Sequence, residues 1–191
     1  MAKRKTGDKL GDIRAATIAE VVVSGSSAAS VNAIAKRAGL AVGTIYRYYD
    51  SKDQLLRATY MAIKGEIHQS MIDAADNVTD SKAKVQSMWF ANLHFAHKEP
   101  KSFLFAELIV NDTILTLEDR EKIAQMAHDI RTVIETAISD GVIRDITLDS
   151  IMTVLSAPVM QLGRATALSG EAPDPARSAE IFSLCWRAIE A

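Results

Sequence analysis

Residues 30–56 read SVNAIAKRAGLAVGTIYRYYDSKDQLL, and this stretch decides the fold. Ser30 stands where its hydroxyl can cap a helix over VNAIAKRA. That helix would place Val31, Ile34, Ala35 and Ala38 on one face, and Lys36 and Arg37 on the other. Gly39 ends it, because a helix C-terminus favours a residue that tolerates positive φ. Only Leu40 and Ala41 follow before VGTIYRYY opens a further helical segment. Ser51 and Gln54 then form an S-x-x-Q capping box at the start of KDQLLRATYMAIKGEI. Upstream, residues about 11–24 carry Ile13, Ala16, Thr17, Ala19 and Val23 near helical spacing, with Gly25 as a stop. Short helices joined by a tight glycine turn make a helix-turn-helix. The inner faces of the crossed pair pack on the first helix, which leaves the second of the pair free to enter a DNA major groove. Its exposed side would show Gly43, Thr44, Tyr46, Arg47 and Tyr48, donors suited to phosphates and base edges, with Lys52 in the first turn of the next helix.

Charge divides the chain in the same place. The 191 residues carry a net −2, but residues 1–60 hold ten basic and five acidic side chains. The remainder holds twelve basic and nineteen acidic ones, so +5 sits beside −7. A polyanion partner for the first third fits this asymmetry, and so does a basic solvated face. Lys3-Arg4-Lys5 reads either as an arm that follows a DNA backbone or as a solubilising tail.

Composition narrows the rest. A 48% apolar content supports a packed core, while 9 Gly and 4 Pro are too few for the turns of an all-β fold. One cysteine, Cys185, excludes a disulfide framework and fits a reducing compartment. No run approaches the roughly 18 apolar residues of a membrane span, and the basic start lacks the hydrophobic stretch of a signal peptide. The expectation is an all-α cytoplasmic protein of about nine helices.

The segment SVNAIAKRAGLAVGTIYRYYDSKDQLL resembles the DNA-binding module of the TetR (tetracycline-repressor-like) family. The pattern IA-x-x-AG, GT-[hydrophobic]-Y-x-[YH]-[FY], S-K-[ED]-x-L is met in order and without gaps. Ile34-Ala35, Ala38-Gly39, Gly43-Thr44-Ile45-Tyr46, Tyr48-Tyr49 and Ser51-Lys52-Asp53 with Leu55 carry it. The resemblance implies that Gly43 admits the base edges, that Thr44 and Tyr46 contact DNA, and that Tyr48 and Lys52 clamp phosphates. Ser30, Val42 and Arg47 complete the expected DNA-facing set. Three positions depart from the pattern: Ala41 removes a side-chain cap, Val42 offers only an apolar contact, and Ser26 replaces an aromatic anchor.

Beyond residue 70 the chain continues in helical patterns. Residues about 81–98 place Val85, Met88, Trp89, Leu93 and Ala96 on one apolar face, with Phe90, His94 and His97 opposite. Such two-faced burial suits a ligand cavity, for which Trp89, Phe90, His94, Phe103, Met126 and Met160 are the candidate walls. Pro100 starts the next segment, a long helix spans about 118–139, and Gly141 closes it. Pro158 removes one backbone hydrogen bond and kinks the following helix, and Asp174-Pro175 opens the last one. Small residues at Ala157, Gly163 and Ala167, with Ile181, Phe182, Cys185, Trp186 and Ile189, read as a homodimer interface or as packing within one chain.

Residues 8–68 are thus expected to form an N-terminal three-helix helix-turn-helix DNA-binding domain, and 69–191 a helical ligand-binding and dimerisation domain. The expected function is a regulator, a repressor, that binds a palindromic double-stranded DNA operator as a homodimer and is released by a small, mostly hydrophobic effector. A helix-turn-helix adaptor without DNA binding, or a small helical enzyme, are the alternatives. His94 and His97 with Glu107 lack a third matched ligand, and no G-x-S-x-G, P-loop or dinucleotide pattern occurs. No catalytic residue, metal, cofactor or membrane partner is expected.

Overall fold

The computed structural model describes residues 8–109 and 113–191. Among them run α1 (Lys9–Ser24), α2 (Val31–Ala38), α3 (Val42–Ile45), α4 (Lys52–Asp76) and α5 (Ser81–Lys98). They are followed by α6 (Pro100–Ile109), α7 (Leu117–Ser139), α8 (Leu148–Ser169) and α9 (Pro175–Ile189). The described residues contain no strand, only an isolated bridge between Ile143 and Glu190. They fall into two units, 8–62 with 104–109 and 113–115, and 63–103 with 116–191. The position between 68 and 69 lies within α4.

In the first unit, the Asp8 carboxylate accepts from the Gly11 N–H at 2.8 Å and caps α1. Ile13 and Ala16 of α1 meet Val31, Ile34, Ala35 and Ala38 of α2 in a core closed by Ile45 and Leu55. Each fully buried Ile or Leu stabilises by about 1.5–3 kcal/mol, enough for so small a module to hold its helices. Ser30 caps α2 through Ala33 N–H at 3.1 Å. Gly39 ends α2 at φ 68, in the left-handed region that a side chain would strain. Arg37 of α2 reaches Glu20 of α1 at 2.9 Å and ties the two helices at their surface.

In the second unit α5 packs on α8 and α7, and α8 packs on α9 and α7. Val85, Trp89 and Leu93 are buried with Ile134, Ile151, Leu155 and Val159. Trp89 meets Phe90 edge-on at 5.0 Å and Phe182 at 5.6 Å, and Phe182 stacks on Trp186 at 6.1 Å. The helix α8 continues across Pro158. Asp174 accepts from the Ala176 N–H at 2.9 Å, and Pro175 takes the first position of α9, as the dipeptide predicts. A capping box of Thr116 and Asp119 opens α7 one residue earlier than the periodicity suggests.

The last helices place most of the side chains expected at an interface inside the chain. Phe182, Cys185, Trp186 and Ile189 lie in this chain's own core, only 0–6% exposed, and Ile181 packs against it. Gly163 and Ala167 are buried as well, Gly163 beneath the Phe103 ring. Six of these seven are covered within the chain and Ile181 is half-buried, so they have little area left for a partner. Of the eight, only Ala157 is exposed.

Candidate nucleic-acid interface and cavity

The segment expected to read DNA is shorter as a helix than VGTIYRYY suggests. Regular α-helix covers only Val42–Ile45, with Ala41 at its N-cap and no side-chain cap bond. The chain then tightens into turns, with Arg47 N–H on Thr44 C=O at 3.3 Å and Tyr48 N–H on Ile45 C=O at 2.9 Å. Ile45 is 1% exposed and anchors the turn, while Tyr46 and Tyr48 are 49% and 45% exposed. Gly43 and Arg47 are exposed, and Val42 and Thr44 are half-buried. Tyr49 turns inward beside the core, where burial pushes its phenol above the ordinary value.

Gly43 is informative. A Cβ built there meets nothing within 4 Å, and its φ is not in the left-handed region. Nothing inside the chain asks for glycine at 43, whereas a surface approaching closely from outside would.

Lys52 makes contacts within the chain that the sequence did not announce. Its Nζ donates to the carbonyl oxygens of Ser26, Ser27 and Ala29 at 2.8, 3.1 and 2.9 Å. An ammonium has three N–H donors, and these three carbonyls can take them all. Lys52 thus fastens the turn before α2, and a phosphate on its ammonium would take the place of one of these carbonyls. The exposed Ser30 hydroxyl accepts the cap bond and keeps its own O–H to donate. Lys3, Arg4 and Lys5 lie outside the described residues.

In the second unit a cavity opens to solvent, about 430 Å³ when the open solvent at its mouth is included. Met71 of α4 and Ile130 and Ile134 of α7 form part of its wall. Val85, Met88, Trp89 and Asn92 of α5 form another, and Met152, Leu155, Ser156 and Val159 of α8 complete it. Of the six residues expected to line a cavity, Trp89 lines this one. Phe90 packs among the aromatic rings and Phe103 beneath Gly163. His94 and Met160 are exposed, and Met126 is half-buried away from the lining. The cavity lies on the Val85–Met88–Trp89–Asn92 stripe of α5, which serves both core and cavity. The 3–4 spacing from Val85 to Asn92 was the available signal.

Trp89 donates its indole N–H to Leu155 C=O at 2.9 Å, so its polar atom is satisfied inside the wall. One turn before Met71, His68 Nε2 lies 3.0 Å from Asp129 Oδ2, which adjoins Ile130. One turn earlier still, Lys64 is half-buried without a hydrogen bond or ion pair to a described residue, and burial lowers its ammonium below the ordinary value. Cys185 is buried with its thiol pushed up, which disfavours the reactive thiolate. Among the described residues no three His, Cys, Asp or Glu side chains converge on a metal position, and no helix is long and apolar enough to cross a membrane.

Helices α1 to α4 define a helix-turn-helix protein. Residues 13–59 match the family model of bacterial regulatory proteins, tetR family. Over its length the chain is similar to a TetR family transcription regulator from Marinobacter aquaeolei VT8, with 23% identity, 96% of each chain covered and a TM-score of 0.86. A tetR family regulator from Shewanella sp. PV-4 gives 22% identity over 96% of this chain and 98% of its own, with a TM-score of 0.80. The regulator FadR from Bacillus subtilis, solved in complex with stearoyl-CoA, gives 18% identity over 92% and 97%, with a TM-score of 0.75. The N-terminal module is that of the tetR family, and the chain as a whole has the fold of TetR family transcription regulators.

Proposed function

We propose that this protein is a repressor that binds a palindromic operator as a homodimer and is released by a small, mostly hydrophobic effector. Residues 8–68 carry the DNA-reading module and residues 69–191 the effector and dimerisation functions, in the cytoplasm where its operator lies. The observation that carries DNA reading is the exposed surface of Gly43, Tyr46, Arg47 and Tyr48, in which glycine serves no internal purpose. A major groove admits such a turn, and arginine and tyrosine donors suit its edges and the flanking phosphates.

Two recognition turns read successive grooves only when held about 34–36 Å apart, or multiples of that, which is the task of a dimer. The exposed apolar side chains Ala157, Met160 and Leu168 of α8 and Leu184 of α9 support that interface. An effector in the cavity would release DNA if it favours a state in which the two readings no longer fit at once. The acyl-CoA complex of the similar FadR supports an apolar effector.

Selection of bound sites from random duplexes tests the reading, followed by titration at several salt concentrations. A palindromic site is expected, with affinity falling steeply as salt rises. Replacing Tyr46 and Arg47 by Ala should abolish site-specific binding while the oligomeric state stays unchanged. Wild-type protein without preference for any duplex, including the flank of its own gene, would sink the proposal.

A further inference from the structure

The wall of the α4–α5–α7–α8 cavity has no ionisable side chain. Nine of its eleven residues are apolar, and the one polar atom of Trp89 is taken by Leu155. Two polar side chains remain, Asn92 and Ser156. Ser156 is exposed, so water can serve its hydroxyl. Asn92 is half-buried and makes no hydrogen bond to a described residue. Its amide therefore presents both donors and an acceptor to whatever occupies the cavity. Bordering the cavity, His68 lies against Asp129, which brings a carboxylate to that edge. Lys64, the cation on the same stripe of α4, stands two turns from Met71, roughly 10 Å along the axis.

We propose that this cavity takes an uncharged apolar molecule carrying one hydrogen-bonding oxygen, an alcohol, ketone or ester, with that oxygen on the Asn92 amide, and that it rejects the corresponding carboxylate. This deepens the effector reading above and rests on it. An apolar wall supplies the affinity, and a single amide supplies orientation. A carboxylate entering the same wall would lose its water without gaining a cation, a cost far above that of a satisfied hydroxyl.

The test uses the full-length protein at pH 8 with 1-decanol, methyl decanoate and decanoate, followed by calorimetry and by fluorescence, since Trp89 is part of the wall. Decanol and the ester should bind, and decanoate should bind at least about a hundredfold more weakly. Asn92→Leu should keep the wild-type melting behaviour and lower the affinity for decanol by roughly two- to tenfold. The wild-type ligand series stands by itself should that variant fold poorly. Decanoate binding as tightly as decanol, with the preference lost in Lys64→Met, would overturn the proposal in favour of an anionic head group. Absence of binding by all three probes would overturn it too. Asn92-dependent binding of decanol that leaves the protein on its operator would instead refute the effector reading and leave the ligand class standing.

Discussion

The Nζ of Lys52, at the first turn of α4, sits 2.8 Å from the carbonyl oxygen of Ser26 and closes the loop between α1 and α2. Its two further bonds, to Ser27 and Ala29, make it the pin of that loop. Lys52→Met should destabilise the module by about 1–2 kcal/mol, since hydrogen bonds from a charged donor are the stronger kind and these are partly exposed. The decisive measurement is the salt dependence of DNA binding. A lysine spent on carbonyls leaves the slope of log K against log salt unchanged when removed, whereas a phosphate contact would lower it by about 0.9.

Gly163 of α8 lets the Phe103 ring lie against its backbone. A Cβ at 163 would stand 2.8 Å from Phe103 Cζ and 3.2 Å from the Ala96 Cβ. Gly163→Ala should therefore destabilise by about 1–3 kcal/mol of overpacking, offset by up to ~1 kcal/mol of helix propensity. Thermal melts should show a net loss, and Phe103→Leu in the same chain should restore part of it.

Burial separates core from exposed surface on α9. Trp186→Ala removes a ring 3% exposed and should cost about 3–5 kcal/mol, visible as global unfolding at reduced temperature. Leu184, 53% exposed on the other side of the helix, should behave differently. Leu184→Glu should leave monomer stability within about 0.5 kcal/mol and shift the sedimentation of the protein toward monomer. Dimers unaffected by Leu184→Glu and by Ala157→Glu would remove this face from the dimer proposal.

Lys64 gives a stability prediction with a sign in pH. Desolvation holds its folded-state ammonium below the ordinary 10.5, so the unfolded chain binds that proton more tightly. The cost is fully present at neutral pH, and it fades as pH climbs from the folded-state value to 10.5. Lys64→Met should stabilise by about 1 kcal/mol at pH 7, and denaturant melts should show that advantage shrinking through the alkaline range. The raised phenols of Tyr49 and Tyr60 and the raised Cys185 thiol act in the opposite direction, but equally in both proteins. An advantage that grows with pH would contradict the assignment.

Features set by a few neighbouring residues were legible in the sequence. The Ser30 cap, the left-handed Gly39 and the Asp174-Pro175 start each depend on the backbone within one turn, and each stands where the residue types place it. Choices between two apolar faces were not legible in that way. Trp186 and Phe182 carry equal apolar area whether they cover α5 and α8 or a second copy, and helical spacing cannot separate the two. The same ambiguity put the expected cavity on the Phe90–His94 side of α5. Lys52 shows a third limit: a cation near a helix start suits an anion and a set of carbonyls equally well, and only the fold of residues 26–29 decides.

The single-turn α3 carries a consequence for genetics. One turn of helix without a side-chain cap has almost no stability of its own, so its shape comes from Ile45 seated in the core and from the chain on either side. Alleles selected for failure to bind DNA should therefore include many at Ile45, Leu55 and Ile34, positions that never meet the nucleic acid. A map of such alleles would outline the packing beneath the reading surface more faithfully than the surface itself.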